Sequence, residues 1–145
     1  MKKRGAWYVG ALVLCALVAL GAYLLVPADT ETIYLKGETL QVALADTPAL
    51  RERGLGGRES LGENEGMLFV FPKDGVYPFW MKDMRFSIDI LWLAADGRIV
   101  YVVENVSPDT YPEDFAPDNL ARYVLELPAG WTASHNVVVG DFVRL

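Results

Sequence analysis

Ile88-Asp89-Ile90-Leu91-Trp92-Leu93-Ala94 and Ile99-Val100-Tyr101-Val102-Val103-Glu104-Asn105-Val106 flank the tetrapeptide Ala95-Asp96-Gly97-Arg98. Two runs rich in β-branched and aromatic residues, joined by an Asp-Gly turn, make this the clearest hairpin in the chain. Both arms are apolar enough to be expected in a buried position. The hairpin sets the class of fold, which is mainly β.

Working outward, Thr32-Ile33-Tyr34-Leu35 and Leu40-Gln41-Val42-Ala43-Leu44 alternate apolar with polar residues around Lys36-Gly37-Glu38, and so predict a second hairpin. Thr47-Pro48 has the form of a helix N-cap followed by proline in the first turn, and Gly54, Gly56 and Gly57 end the short helix that follows. Met67 to Phe71 is an apolar run closed by Pro72 and the Lys73-Asp74-Gly75 turn, after which Val76 to Met81 is expected to form its partner strand. Downstream lie an acidic, proline-bearing loop from Ser107 to Asn119, a strand at Arg122 to Leu127, a short turn of helix after Pro128 and a final strand around Phe142 to Leu145. Seven or eight short strands with one or two short helices predict an α+β, mainly β, small barrel-like domain over residues 29–145.

The first 28 residues read differently. Met1-Lys2-Lys3-Arg4 precedes a 22-residue uncharged run, Gly5 to Val26, closed by Pro27. As a helix this run would cover roughly 33 Å against a hydrocarbon core of about 30 Å. Trp7 and Tyr8 near one end and Tyr23 near the other occupy the interfacial positions of a spanning helix. A single N-terminal transmembrane helix is therefore expected. A cleaved signal peptide is the competing reading, with Val26-Pro27-Ala28 at the cleavage position. The basic start leaves the N-terminus in the cytoplasm and the domain outside it, so the expected location is membrane-anchored and extracytoplasmic, in the cell envelope. Leu14 before Cys15 is unsuited to lipid attachment, while Ala11, Cys15 and Ala19 form a small-residue stripe through which the anchor could form a homo-oligomer.

Residues 29–145 carry 10 basic and 19 acidic residues, a net of −9. That charge opposes contact with nucleic-acid phosphates. No cysteine follows Cys15, which excludes a disulfide or a thiolate metal site from the exported part.

Several local motifs occur in a fixed order: Arg53-Gly54-Leu55-Gly56-Gly57-Arg58, Glu65-Gly66-Met67-Leu68-Phe69-Val70-Phe71, Phe79-Trp80-Met81-Lys82, Asp89-Ile90-Leu91, Ala121 to Gly130 and Val139-Gly140-Asp141. From about Leu40 to Leu145 the chain resembles the domain-of-unknown-function 192 family. The resemblance implies a small barrel-like α+β domain, often exported, and transfers a fold rather than an activity. Two departures stand out. Many members carry a cysteine pair in the loop that here is Ser107 to Asn119, and Asp83-Met84 replaces a more usual Asn-Thr.

Within these motifs Phe79, Trp80, Met81, Lys82 and Asp89 are the binding candidates. The bland alternative puts Phe79 and Met81 in the core on alternate strand positions, with Lys82 and Asp83 starting a turn. The sharper one is a copper site made from His135, the only histidine, with Met81, Met84 or Met67, since thioether sulfur favours Cu(I) and imidazole suits both copper states. One histidine is few for a copper dismutase. Asp109, Glu113, Asp114 and Asp118 could supply oxygen ligands to a hard cation, but their spacing is not that of an EF-hand and a solvated loop is the plainer reading. Adjacent Ser134 and His135 do not by themselves make a nucleophile and base, and no phosphate-cradling or dinucleotide-binding spacing occurs. The expected function is a membrane-anchored envelope module that binds or stabilises a larger envelope protein complex, without established catalysis. The alternative is a copper-binding redox protein with superoxide dismutase-like activity.

Overall fold

Each turn signal in the sequence has a conformational reason, and the computed structural model, which describes residues 29–145, shows where each holds. Lys36 and Gly37 both take positive φ (56° and 88°), the twist a two-residue hairpin loop needs, and they join β1 (Thr30–Leu35) to β2 (Glu38–Ala45). Thr47 accepts a hydrogen bond from the Leu50 N–H and caps α1 (Pro48–Arg53), which ends at Gly54. β3 (Glu65–Gly75), β4 (Ile88–Leu93) and β5 (Ile99–Val106) follow, then a 3-10 turn at Pro108–Thr110, β6 (Ala121–Pro128) and α2 (Trp131–Ser134). The anchor or signal peptide at 1–28, with its oligomerising stripe, lies outside the described residues. Among those described, no helix is long and apolar enough to cross a membrane.

The six strands form one sheet in the order β1-β2-β3-β6-β4-β5. β2 and β3 run parallel across the α1 connection and every other pair is antiparallel. β6 thus inserts between β3 and β4, and β4 is buried along its whole length. Alternate side chains build two cores. One holds Leu40, Val42, Leu68, Leu91, Leu93, Leu125 and Leu127, covered by Trp131, Val137 and Val143. The other, on the opposite side chains, holds Ala43, Met67, Phe69, Ile90, Trp92 and Val124, covered by Leu55 and Met81.

Four expectations are corrected. The sheet is not closed into a barrel, because its edge strands β1 and β5 do not pair with each other. The C-terminal segment instead touches both edges and forms no full strand: Tyr34 and Arg144 exchange backbone hydrogen bonds of 2.9 Å, and Val143 N–H donates to Gly97 O at 2.9 Å. Val76 to Met81 does not pair with β3. β3 runs on through Pro72, which cannot donate to a ladder, its register breaks between Val70 and Gly75, and both its partners are non-local. Finally, only β4 of the Asp-Gly hairpin is wholly buried; β5 is an edge strand with Tyr101, Glu104 and Asn105 exposed.

The Asp-Gly turn also receives the C-terminus. Gly97 has φ of 84°, and a Cβ there would lie 2.4 Å from Val143 O. Gly97→Ala combines a left-handed backbone penalty with a clash against main chain. It is expected to destabilise the domain by about 2 kcal/mol, read as a lower urea midpoint, with faster amide exchange at Val143.

Candidate functional site

Beyond β3 the chain crosses the second core as an irregular segment in which alternate residues face in and out. Phe79 packs inward, edge-on to Phe69 (centroids 4.7 Å) and Trp92 (5.9 Å), and Met81 is 1% exposed. Trp80 between them is 49% exposed and lies 6.1 Å from Tyr111. Phe79 is fixed by reciprocal 2.8 Å backbone bonds with Phe115. The bland reading therefore holds for Phe79 and Met81, while Trp80 and Lys82 are left at the surface.

The loop after α1 lies against this segment. Gly57 N–H donates to Asp83 O at 2.9 Å, and Gly56 fits because a Cβ there would come within 2.9 Å of Arg53 O and 3.4 Å of Lys82 O. Between loop and segment opens a pocket of about 230 Å³. Its walls are Phe69, Phe71, Tyr77, Phe79 and Trp80, with Met84 also contributing. Phe71 and Tyr77 are stacked with centroids 3.5 Å apart. Arg51, Arg53 and Lys82 bring positive charge and Glu52 one negative. Arg51 is already engaged, donating to Val70 O at 2.7 Å with its guanidinium over the Phe71 ring. Arg53 and Lys82 are exposed and take part in none of the ion pairs among the described residues.

Glu126 also lines the pocket. It sits mid-strand in β6, opposite Met67 of β3 and Ile90 of β4, where the alternation that buries Val124 buries it too. The residue is 5% exposed and its Oε2 has no hydrogen-bond partner among the described residues. Burial pushes its carboxyl up from an ordinary 4.5 to about 8, with the Arg58 charge pulling more weakly the other way. At neutral pH the group is therefore mostly a neutral acid, with one O–H to donate and a carbonyl to accept. Sequence reasoning missed it as a site residue. The signal was present as a lone acid in Val124-Leu125-Glu126-Leu127, a stretch otherwise apolar.

Asp89, named as a binding candidate, is fully buried with its carboxylate already occupied. Oδ1 accepts from Asn105 N–H (2.8 Å) and Gly130 N–H (3.1 Å), and Oδ2 lies 2.9 Å from Thr132 N and 2.7 Å from Thr132 Oγ1. α2 has no side-chain cap of its own, because Gly130 is its N-cap residue. Asp89 supplies that cap from β4 and ties β4, β5 and α2 together.

The copper ligands do not converge. His135 stacks on Trp131 (3.9 Å) and its Nδ1 lies 2.8 Å from Trp131 O, against the first core, whereas Met81 and Met67 belong to the second and Met84 packs on it. The physical reason is the sheet itself, which stands between them: α2 and His135 after it cover one core, while β3 and the irregular segment that follows it bring the methionines to the other. Asp109, Glu113, Asp114 and Asp118 likewise form no cluster of three or more metal-ligating side chains, and none is found among the described residues.

Comparison with known structures places this arrangement among relatives. A candidate transcription regulator from Sinorhizobium meliloti 1021 is 34% identical, with a TM-score of 0.78 over 82% of this chain and 95% of that one. A protein of unknown function from Novosphingobium aromaticivorans DSM 12444 is 25% identical, with a TM-score of 0.77 over 81% and 86%. The comparison with curated proteins found no match. A profile described as DUF192, "Uncharacterized ACR", matches residues 31–145, which take in the sheet, the Glu126 pocket and the C-terminal strap. The chain therefore belongs to the domain-of-unknown-function 192 family, as its ordered motifs imply.

Proposed function

We propose that the protein is a binding module of the cell envelope, held at the membrane by residues 1–28, which engages a larger envelope assembly through the Glu126 pocket. The observation that carries this reading is the Glu126 carboxyl: buried, without a partner for Oε2 among the described residues, and set in an aromatic pocket. Leaving such a group unsatisfied costs about 1–3 kcal/mol, which a bound partner supplying the missing hydrogen bond would offset. Exposed Trp80 and Tyr111 beside the mouth add the aromatic surface that interfaces favour. The role in the name of the Sinorhizobium protein is not adopted, since a net charge of −9 over residues 29–145 opposes contact with nucleic acid.

A photoreactive amino acid placed at Trp80 in the full-length chain, expressed in its own membrane, tests the reading. It should give a discrete cross-linked species that Lys82→Glu weakens, while the same probe at exposed Glu31 on β1 gives none. Equal labelling at both positions, or none at Trp80, would overturn it.

A further inference from the structure

The geometry points to the chemistry of the ligand: an organic acid with a flat aromatic body and a hydrogen-bonding group at its far end, its carboxylate held by Arg53 and Lys82 at the mouth. This deepens, and rests on, the reading of the Glu126 pocket as the binding site. Four observations carry it.

The cavity, at about 230 Å³, is smaller than the usual pocket for a drug-sized ligand, so the part that enters is a single ring-bearing group. Five of its lining residues are aromatic, and stacked or edge-on contact with them suits a flat ring. At the protein end, the Glu126 carboxyl lines the pocket with its Oε2 unpartnered among the described residues, and a neutral acid there matches a hydroxyl or an amide, each of which can both donate and accept. Charge then orients the ligand. In a domain of net −9, Arg53 and Lys82 are cations unpaired among the described residues beside one pocket, and they favour an anionic group at that position.

Aromatic walls also attract cations, but the same charges disfavour that ligand. Arg51 already occupies the Phe71 face, and Arg53 and Lys82 would repel a second cation. Two sources present the required chemistry: a free hydroxyphenyl acid, and the C-terminal tyrosine of a polypeptide with its own carboxylate.

Calorimetric titration of the full-length chain decides the matter, with 4-hydroxyphenylacetate, phenylacetate and 4-ethylphenol as probes. Two further probes are a tetrapeptide ending in tyrosine with a free C-terminus and the same tetrapeptide amidated. 4-Hydroxyphenylacetate should bind, and phenylacetate and 4-ethylphenol should each bind about tenfold more weakly, one polar contact being lost in each. Lys82→Glu, at an exposed position, should remove the advantage of the acid over 4-ethylphenol. Glu126→Leu should remove the advantage of the hydroxyl, whereas Glu126→Gln, which keeps a donor and an acceptor, should preserve it. A free-ended peptide that binds more tightly than the small acid, and loses this on amidation, identifies a chain terminus as the source; the reverse order identifies a free acid. Equal affinity for 4-hydroxyphenylacetate and 4-ethylphenol overturns the proposal. So does absence of binding by every probe at millimolar concentration. In that last case, persistent cross-linking at Trp80 leaves the pocket as a binding site with a different ligand, and loss of cross-linking removes both readings.

Discussion

Asp89→Ala is expected to destabilise the domain by about 3 kcal/mol or more, enough to lower its melting temperature by roughly 10 °C. The carboxylate accepts from three backbone N–H groups, those of Asn105, Gly130 and Thr132, and lies 2.7 Å from the Thr132 hydroxyl. Removing it strands the buried Thr132 N–H and loosens the part-buried bonds of Asn105 and Gly130, and a stranded buried donor costs about 1–3 kcal/mol. It also leaves α2 without its only N-terminal acceptor. Asp89→Asn should recover little, because an amide nitrogen would face N–H groups on one side. Urea denaturation followed by far-ultraviolet circular dichroism reads the loss. A variant melting within a couple of degrees of wild type would show that the network contributes little.

The second large effect is a dependence on pH. Below 4.5 the Glu126 carboxyl is neutral in the folded and unfolded chain alike. Between 4.5 and about 8 the unfolded chain releases a proton that the folded one keeps. The folded state binds more protons in that window, so stability falls as pH rises through it and levels off above about 8. At 1.36 kcal/mol per unit the full effect is on the order of 5 kcal/mol. Glu126→Gln has no proton to lose and should flatten the profile, giving a variant more stable than wild type at pH 9 but not at pH 4. Asp141 works in the opposite sense: the Lys36 hydrogen bond holds its carboxyl below the ordinary 3.8, so its contribution is lost only as pH falls, outside this window. Urea midpoints of both proteins at pH 4, 7 and 9 check the prediction. Parallel profiles for the two would contradict it.

Local chemistry in the sequence carries the β1–β2 hairpin, the Thr47 cap and the Asp-Gly turn, because each is decided within a few residues. What it does not carry is non-local. The parallel pairing of β2 with β3, and the insertion of β6 between β3 and β4, bring together residues far apart in the chain, and alternation names a strand without naming its partner. That is why Val76 to Met81 read as a strand beside β3. It is also why β5 read as buried, since its valines fit an interior strand as well as the edge it occupies.

The same division runs through the site. Phe79, Trp80, Lys82 and Met84 were legible as one cluster and do line one pocket, while Met81 turns into the core on the strand-like alternation. Asp89 is a candidate through the Asp89-Ile90-Leu91 motif, but its partners come from β5 and α2, some 16 to 43 residues away, and they make it a structural tie. Glu126 is an equally isolated acid on the neighbouring strand. Only the third dimension separates the two, since one carboxyl meets its donors and the other meets a pocket.

The most direct test of the account is the titration of Glu126 itself. The side-chain carboxyl carbon, labelled with carbon-13 and assigned by its absence in Glu126→Gln, can be followed by nuclear magnetic resonance from pH 4 to pH 10. A midpoint near 8 is predicted for the unliganded protein. A midpoint near 4.5 would show a solvated or paired carboxylate, and would contradict a pocket built on a buried, unpartnered acid.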